Sequence, residues 1–349
     1  MVYKEFIDRT EEVLEKVYPR EEGRAIAVRL LQHFCGLSSY EHIVEPFGEI
    51  PDEKLSLLNS AAGQLAAARP LQYVLGFEEF CGHKFFVKEG VLIPRPETEE
   101  LVRWVVEEIA EKRNTTNSQL SKPYKSSHPG RTIQALNNDR PMRILDAACG
   151  SGCIGISLAC ELPGSEVFMC DISKDALEVS TINISGIWRE KNISHEKVGK
   201  NITSFGAKTS SPHSVVPRLF YGDLLAGPLS QTLIGHASLD VLISNPPYIR
   251  ESERALMHKN VLDYEPSLAL FVPDNNPLIF YEALANWGVE LLRPGGLLFL
   301  EINESLGKET IEMLASHGYS NILLRRDING RERMVRATAP QRFSPGEIC

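Results

Sequence analysis

Residues 143–159 read RILDAACGSGCIGISLA, and this run constrains the fold more than any other stretch. An apolar segment runs into Asp146, a turn of small residues follows, and the apolar spacing then switches to that of a helix. A strand that feeds a helix through a glycine turn opens a βαβ unit. Further strand candidates follow at 166–170, 218–221, 241–244, 296–302 and 322–326, with a last one near 333–337. Helical patterns separate most of them. The alternation predicts an α/β fold with a mostly parallel sheet covered on both faces. Such a sheet needs a sizeable core, which 349 residues, 43% of them hydrophobic, can supply.

Ligands of such sheets sit where the strands end. Gly150, Gly152 and Gly155 spell G-x-G-x-x-G, which by itself suggests a dinucleotide. Asp146 shifts the balance, because a carboxylate there repels a pyrophosphate. It suits a cation, such as the amino group or sulfonium of S-adenosylmethionine. Asp171 ends the second strand, placed to accept from both ribose hydroxyls. Asp223 ends the third, placed to accept from an adenine amino group, with Leu224 against the ring. Each of these two aspartates also has a plainer reading as a helix N-cap.

The fourth strand ends in Asn245-Pro246-Pro247-Tyr248. Asn-Pro commonly starts a turn, but two consecutive prolines also stiffen the chain and remove two N–H donors. The side-chain carbonyl of Asn245 and the main-chain carbonyl of Pro246 can then accept both hydrogens of one NH2 group. Tyr248 offers an aromatic face to the planar group that carries it. An amide nitrogen is a poor nucleophile because its lone pair is delocalised, so the expected catalysis is orientation toward an in-line methyl. Asn245, Pro246 and Tyr248 are the expected catalytic residues, and Pro247 completes the substrate contact. No metal is called for, since a sulfonium is already an activated leaving group.

Three rivals remain in view. A nucleic-acid adenine N6-methyltransferase also suits the Asn-Pro-Pro-Tyr run, but it needs a base-flipping pocket and a basic groove. Here 37 Lys and Arg face 46 Asp and Glu, a net charge of −9, which argues against direct nucleic-acid binding. An NAD-dependent oxidoreductase gives Asp146 and Asn245–Tyr248 no role. A non-catalytic binding module leaves an intact acceptor motif unused.

Residues 1–75 read as a small helical bundle, with eight basic against twelve acidic residues. Residues 76–97 turn to glycines, aromatics and β-branched residues, which predicts a β-hairpin and an extended connector. A helix then begins near Glu97, with Leu101, Val102, Val105, Val106 and Ile109 at helical spacing, and opens the main domain, 98–349. Residues 113–142 and 186–218 are polar, basic and rich in breakers, and read as solvated loop insertions. Seven cysteines fit a reducing compartment better than a disulfide framework. Cys149, Cys153, Cys160 and Cys170 match no zinc or iron–sulfur spacing and read as small buried residues. No run approaches the ~18 apolar residues of a membrane span, and the acidic N-terminus lacks a signal core. A cytoplasmic protein is expected. In such a chain the sequon Asn183-Ile-Ser is a chance match.

With these residues in hand, the chain resembles the HemK/PrmC family of protein-(glutamine-N5) methyltransferases. The matching runs are Arg69–Gly76, Phe80-x-Gly82-x-x-Phe85, Val91–Glu99, the Asp146–Gly152 loop, Asp171, Asn245–Tyr248, Glu265-Pro266 and Asp327…Gly330-Arg331…Arg333. The resemblance covers residues 20–337 apart from the insertions. It implies a seven-stranded, Rossmann-like class I methyltransferase sheet behind a release-factor-binding helical domain. It implies S-adenosyl-L-methionine as cofactor, held by Asp146, Ala148, Cys149, Gly150, Ser151, Gly152, Asp171, Asp223, Leu224 and Asn245. It also implies a peptide chain release factor as partner and the glutamine of its Gly-Gly-Gln motif as acceptor; separately, a monomer is expected, although the sequence itself does not give the oligomeric state. The sequence departs from the family at Ala148, usually Gly, and at Leu224, often an aromatic. Roles for Arg95, Glu97 and Glu265, and any proton acceptor, are left unassigned.

Overall fold

The computed structural model describes residues 1–120, 140–199, 215–227 and 234–341. The chain divides into two units. The first comprises Met1–Glu78, Phe86–Ile93 and Ser252–Ser267. It holds helices α1 (Tyr3–Leu14), α2 (Arg20–Cys35), α3 (Glu41–Val44), α4 (Asp52–Ala66) and α5 (Leu71–Leu75). Prolines 19, 51 and 70 immediately precede α2, α4 and α5, where a missing N–H costs nothing. Phe6, Leu14, Leu30, Leu31, Leu58 and Leu65 make the centre of this bundle. The Glu265 carboxylate accepts from the Ile93 N–H at 3.2 Å, which gives this buried residue a structural task.

A hairpin of β1 (Phe77–Phe80) and β2 (His83–Phe86) follows, as its glycine-and-aromatic composition predicts. The second unit comprises Glu79–Phe85, Pro94–Glu251 and Leu268–Cys349. It runs α6 (Pro96–Leu120), β3 (Arg143–Ala147), α7 (Cys153–Glu161), β4 (Glu166–Asp171), α8 (Lys174–Gly199), β5 (Arg218–Tyr221) and β6 (Leu239–Ser244). Short strands β7 (Ile249–Arg250) and β8 (Phe271–Val272) pair with each other. Helix α9 (Ile279–Leu291), β9 (Leu292–Glu301), α10 (Gly307–Ser316), β10 (Ser320–Arg326) and β11 (Glu332–Thr338) complete it.

Among the described residues, seven strands form one sheet in the order β10-β11-β9-β6-β3-β4-β5. The pairs β3–β4, β3–β6, β4–β5 and β6–β9 are parallel, and β11 runs antiparallel to both its neighbours. Successive residues of the central strands feed different cores. Ile144, Val167, Val241 and Ile243 pack with α6 and α7, while Leu145, Phe168 and Leu242 pack with α9 and α10. This period of two is what a sheet covered on both sides requires.

Two helices run further than the sequence reading placed them. Helix α6 continues through Leu120 and α8 through Gly199, into stretches read as loop. Asn, Thr and Ser cost a helix only a few tenths of a kcal/mol each, so an established ladder carries through them. The remaining parts of the two insertions, 121–139 and 200–214, lie outside the described residues.

Candidate active site

Four loops leave the sheet from one edge. Ala147 pairs with both Cys170 and Ser244, and Asp171 pairs with Tyr221. The turns after β3, β4, β5 and β6 therefore start side by side. The chain goes from β3 to β4 and β5 in one direction, then returns to β6 and β9 in the other. The crevice of such a sheet opens where the direction reverses, above β3 and β6.

The turn after β3 is built on backbone. Gly150 has φ +56° and Gly152 has φ +81°, both in the left-handed region that glycine enters without strain. A Cβ on Gly152 would lie 2.6 Å from Met169 Cε, and one on Gly155 would lie 2.7 Å from Met169 Cγ. Gly150 faces the other way, with nothing within 4 Å of a Cβ position. The turn is thus sealed beneath and open above. Ala148 stands in the left-handed region too, at φ +56°, where a glycine would carry no penalty.

Carboxylates frame this turn. Asp146 is fully buried, and its Oδ2 accepts from the Gly155 N–H at 2.8 Å. Its Oδ1 is buried with no partner among the described residues. Burial, and to a lesser degree the Asp171 charge, push its pKa up to about 8. Asp171 accepts from the Gly150 N–H and the Ser173 N–H, each at 2.8 Å, and burial raises its pKa despite these bonds. It is therefore a brace for the turn as well as a strand-end acceptor. Sequence reasoning missed two further braces on α8. Ser180 Oγ donates to the Gly150 carbonyl and Asn183 Nδ2 to the Ser151 carbonyl, each at 2.9 Å. Asn183 is buried, so the sequon it begins has no accessible amide in the folded chain. No motif marked Ser180 or Asn183; their helical spacing on the face toward the turn is the only signal.

The loop after β5 is divided in function. Asp223 Oδ1 accepts from the Leu225 N–H at 2.9 Å and caps a short 3-10 turn. The sequence reading puts Leu224 against an adenine ring. The structure turns its side chain into the core beside Trp287 and leaves Leu225 exposed instead.

The turn after β6 carries Asn245–Tyr248. Ser244 Oγ donates to the Ala147 carbonyl at 2.6 Å and ties the two strand ends together. Asn245 Nδ2 donates to Thr98 Oγ1 at 3.1 Å, and Thr98 Oγ1 donates to Glu301 Oε2 at 2.6 Å. The Tyr248 hydroxyl donates to the other Glu301 oxygen at 3.2 Å. Tyr248 is held through its backbone as well: its N–H donates to the Leu270 carbonyl and its carbonyl accepts from Asn303 Nδ2. The Arg333 guanidinium lies 6.0 Å from the Tyr248 ring centre and is itself held by Asp327 at 3.2 Å. Asp327 also accepts from the N–H groups of Asn329 and Arg331, which shapes the turn that delivers Arg333. No described residue hydrogen-bonds the Asn245 Oδ1. Thr98, Glu301 and Arg333 are the residues that the sequence reading did not assign to the site.

The sequence has relatives that match it along most of its length. Residues 5–76 match the PrmC N-terminal domain, and residues 132–207 match the Methyltransferase small domain. The release factor glutamine methyltransferase of Flavobacterium psychrophilum is 33% identical over 96% of this chain and 99% of its own. That of Bacteroides thetaiotaomicron is 34% identical over 93% and 95%. The chain belongs to the release factor glutamine methyltransferase family. It is a methyltransferase that uses S-adenosyl-L-methionine. The turn after β3 fits that cofactor on two observations: a buried carboxylate oxygen of Asp146 without a partner, and open space above Gly150. A cationic amino group is what an unpaired buried carboxylate lacks. No helix among the described residues is long and apolar enough to cross a membrane.

Proposed function

We propose that this methyltransferase modifies the side-chain amide nitrogen of the glutamine in the Gly-Gly-Gln motif of peptide chain release factors, and so modulates translation termination. The observation that carries the reading is the Asn245 carboxamide, with Nδ2 tied to Thr98 and Oδ1 left to accept. The cofactor, when bound, supplies a methyl on a positively charged sulfur that departs as a neutral thioether. The chain's own work is placement. Asn245 Oδ1 and the Pro246 carbonyl accept the two hydrogens of the acceptor amide, and Pro247 keeps both rigid. With both N–H groups held in plane, the nitrogen presents its lone pair perpendicular to that plane, toward the cofactor side, and one of the two N–H protons is released to solvent after the methyl is transferred. Tyr248, fixed by Glu301 and Arg333, packs against the amide plane. Holding reactants in this way contributes up to about 7–11 kcal/mol to a rate. Asp146, Asp171 and the Ala148–Gly152 turn, with Cys149 and Ser151 in it, hold the cofactor, and Asp223 completes that side.

The first unit is the release-factor-binding domain in this reading. Tyr40, Ile43, Val44 and Phe47 are each more than 60% exposed, an apolar ridge beside Glu41 and Glu45. Exposed apolar clusters with a charged rim suit a protein partner. The reading carries with it a cytoplasmic monomer that meets its partner without direct nucleic-acid contact. The test is mass spectrometry of a release factor after incubation with the protein and S-adenosyl-L-methionine. One added methyl on the motif glutamine is expected. Methylation of DNA adenine instead would overturn the assignment.

A further inference from the structure

The role given to Asn245 leaves a buried carboxylate, Glu301 at the end of β9, without a task. A carboxamide is nearly symmetric in shape but not in hydrogen bonding, since its oxygen accepts and its nitrogen donates. Turned by half a revolution, Asn245 would present NH2 to the NH2 it has to hold. Thr98 stands between the two groups, accepting from Asn245 and donating to Glu301. A hydroxyl has a single hydrogen. An ionised Glu301 can only accept, so Thr98 commits its hydrogen there and can only accept from Asn245. Asn245 must then turn Nδ2 toward Thr98, which leaves Oδ1 for the acceptor. Both Glu301 oxygens receive donors, Thr98 on one and Tyr248 on the other, which is the pattern of a carboxylate.

We propose that Glu301 and Thr98 are positioning residues that fix which end of the Asn245 carboxamide faces the acceptor, by imposing one hydrogen-bond direction along the chain Asn245–Thr98–Glu301. The inference rests on Asn245 being the clasp for the acceptor amide. A protonated Glu301 donates to Thr98 instead, Thr98 then has a hydrogen for Asn245, and the carboxamide is released to flip.

The groups facing Glu301 are Thr98 and Glu97 from α6, Tyr248 from the turn after β6, Arg333 from β11 and Tyr281 from α9. Burial, helped by Glu97, pushes Glu301 up to about 7, against the pull of Thr98, Arg333 and Tyr248. Its proton is taken up as pH falls through that value, so turnover is lost on the acid side.

The experiment measures methylation of a release factor, and S-adenosyl-L-methionine affinity by calorimetry, for the full chain and three variants. Thr98→Val keeps the volume and removes the hydroxyl. It is expected to lower kcat by about tenfold or more while cofactor affinity stays within about twofold. Thr98→Ser restores the hydroxyl and is expected to recover most of the loss. Glu301→Gln is expected to remove the acid-side fall in kcat that the unaltered protein shows below about pH 7. A Thr98→Val protein with full turnover overturns the inference. So does a Thr98→Ser that recovers nothing, or an acid limb that survives in Glu301→Gln. The pH profile decides even where Thr98→Val does not fold. If the unaltered protein leaves the motif glutamine unmethylated, the reading of the function fails and takes this inference with it. If it methylates and the variants match it, only the inference falls.

Discussion

The two halves of the crevice are built by different means. The cofactor side is a backbone turn on β3, braced by side chains that lie within 32 positions of their partners. The acceptor side is a relay of side chains, and its central contact, Thr98 to Glu301, spans 203 positions. In the proposed function, one half meets a charge with an unpaired buried oxygen and the other fixes a direction through ordered donors. On that reading affinity is concentrated in the first and turnover in the second, and substitutions should separate the two.

The largest separation is expected at Asn245. Asn245→Ala removes the acceptor oxygen and leaves the glycine turn untouched. Turnover should fall by roughly a hundredfold or more, the scale of losing one preorganised hydrogen-bonding group, with cofactor affinity by calorimetry hardly changed. Equal turnover would end the assignment. The mirror experiment is Asp146→Asn, which keeps the shape and the Gly155 contact but removes the charge. Cofactor affinity should weaken by roughly 1.5–3 kcal/mol.

Asp146 also predicts a pH signature. With its pKa near 8, it is largely protonated at neutral pH in the cofactor-free protein. A cation placed against it lowers that value, so binding near neutrality releases a proton and affinity climbs as pH rises toward 8. Calorimetry in buffers of different ionisation enthalpy counts that proton, and Asp146→Asn should abolish it. The stability consequence has the opposite sign. The folded state holds a proton that the unfolded chain has lost between the ordinary carboxylate value and 8, so the cofactor-free protein loses stability as pH rises through that window.

The difference in construction also explains what could be read in advance. Asp146 and the glycines stood out because a strand, a turn and a helix lie in one short run, and Asp171 because it ends the next strand candidate. Asn245–Tyr248 was legible because two prolines restrict the backbone wherever they occur. Thr98 and Glu301 were not, since no periodicity connects residues so far apart on α6 and β9. Asp223 shows the opposite limit: the same carboxylate suits an adenine or an N-cap, and the structure uses one oxygen for the cap. At Leu224-Leu225 the sequence offers two identical side chains, and only the structure shows that the first enters the core and the second is exposed. The ends of α6 and α8 were missed because weak helix formers do not stop a helix already under way.

Smaller effects refine the cofactor half. Ser180→Ala leaves the Gly150 carbonyl without its donor and should cost about 1 kcal/mol of stability, seen as a lower denaturation midpoint, with kcat at saturating cofactor preserved. Ala148→Gly relieves a left-handed alanine at the expense of a more flexible unfolded chain. A net gain of no more than about 1 kcal/mol is expected. A loss in chemical denaturation would mean that the alanine methyl packs usefully.

The wide spacing of the relay has a consequence for the growing chain. Synthesis runs from the N-terminus, and Glu301 arrives long after Thr98 and well after Asn245. Arg333, which backs Tyr248, arrives later still. A nascent polypeptide halted before β9 already contains every residue of the glycine turn and its carboxylates, yet nothing in it tells the asparagine which way to face. Aim is the last property this enzyme acquires on its way off the ribosome.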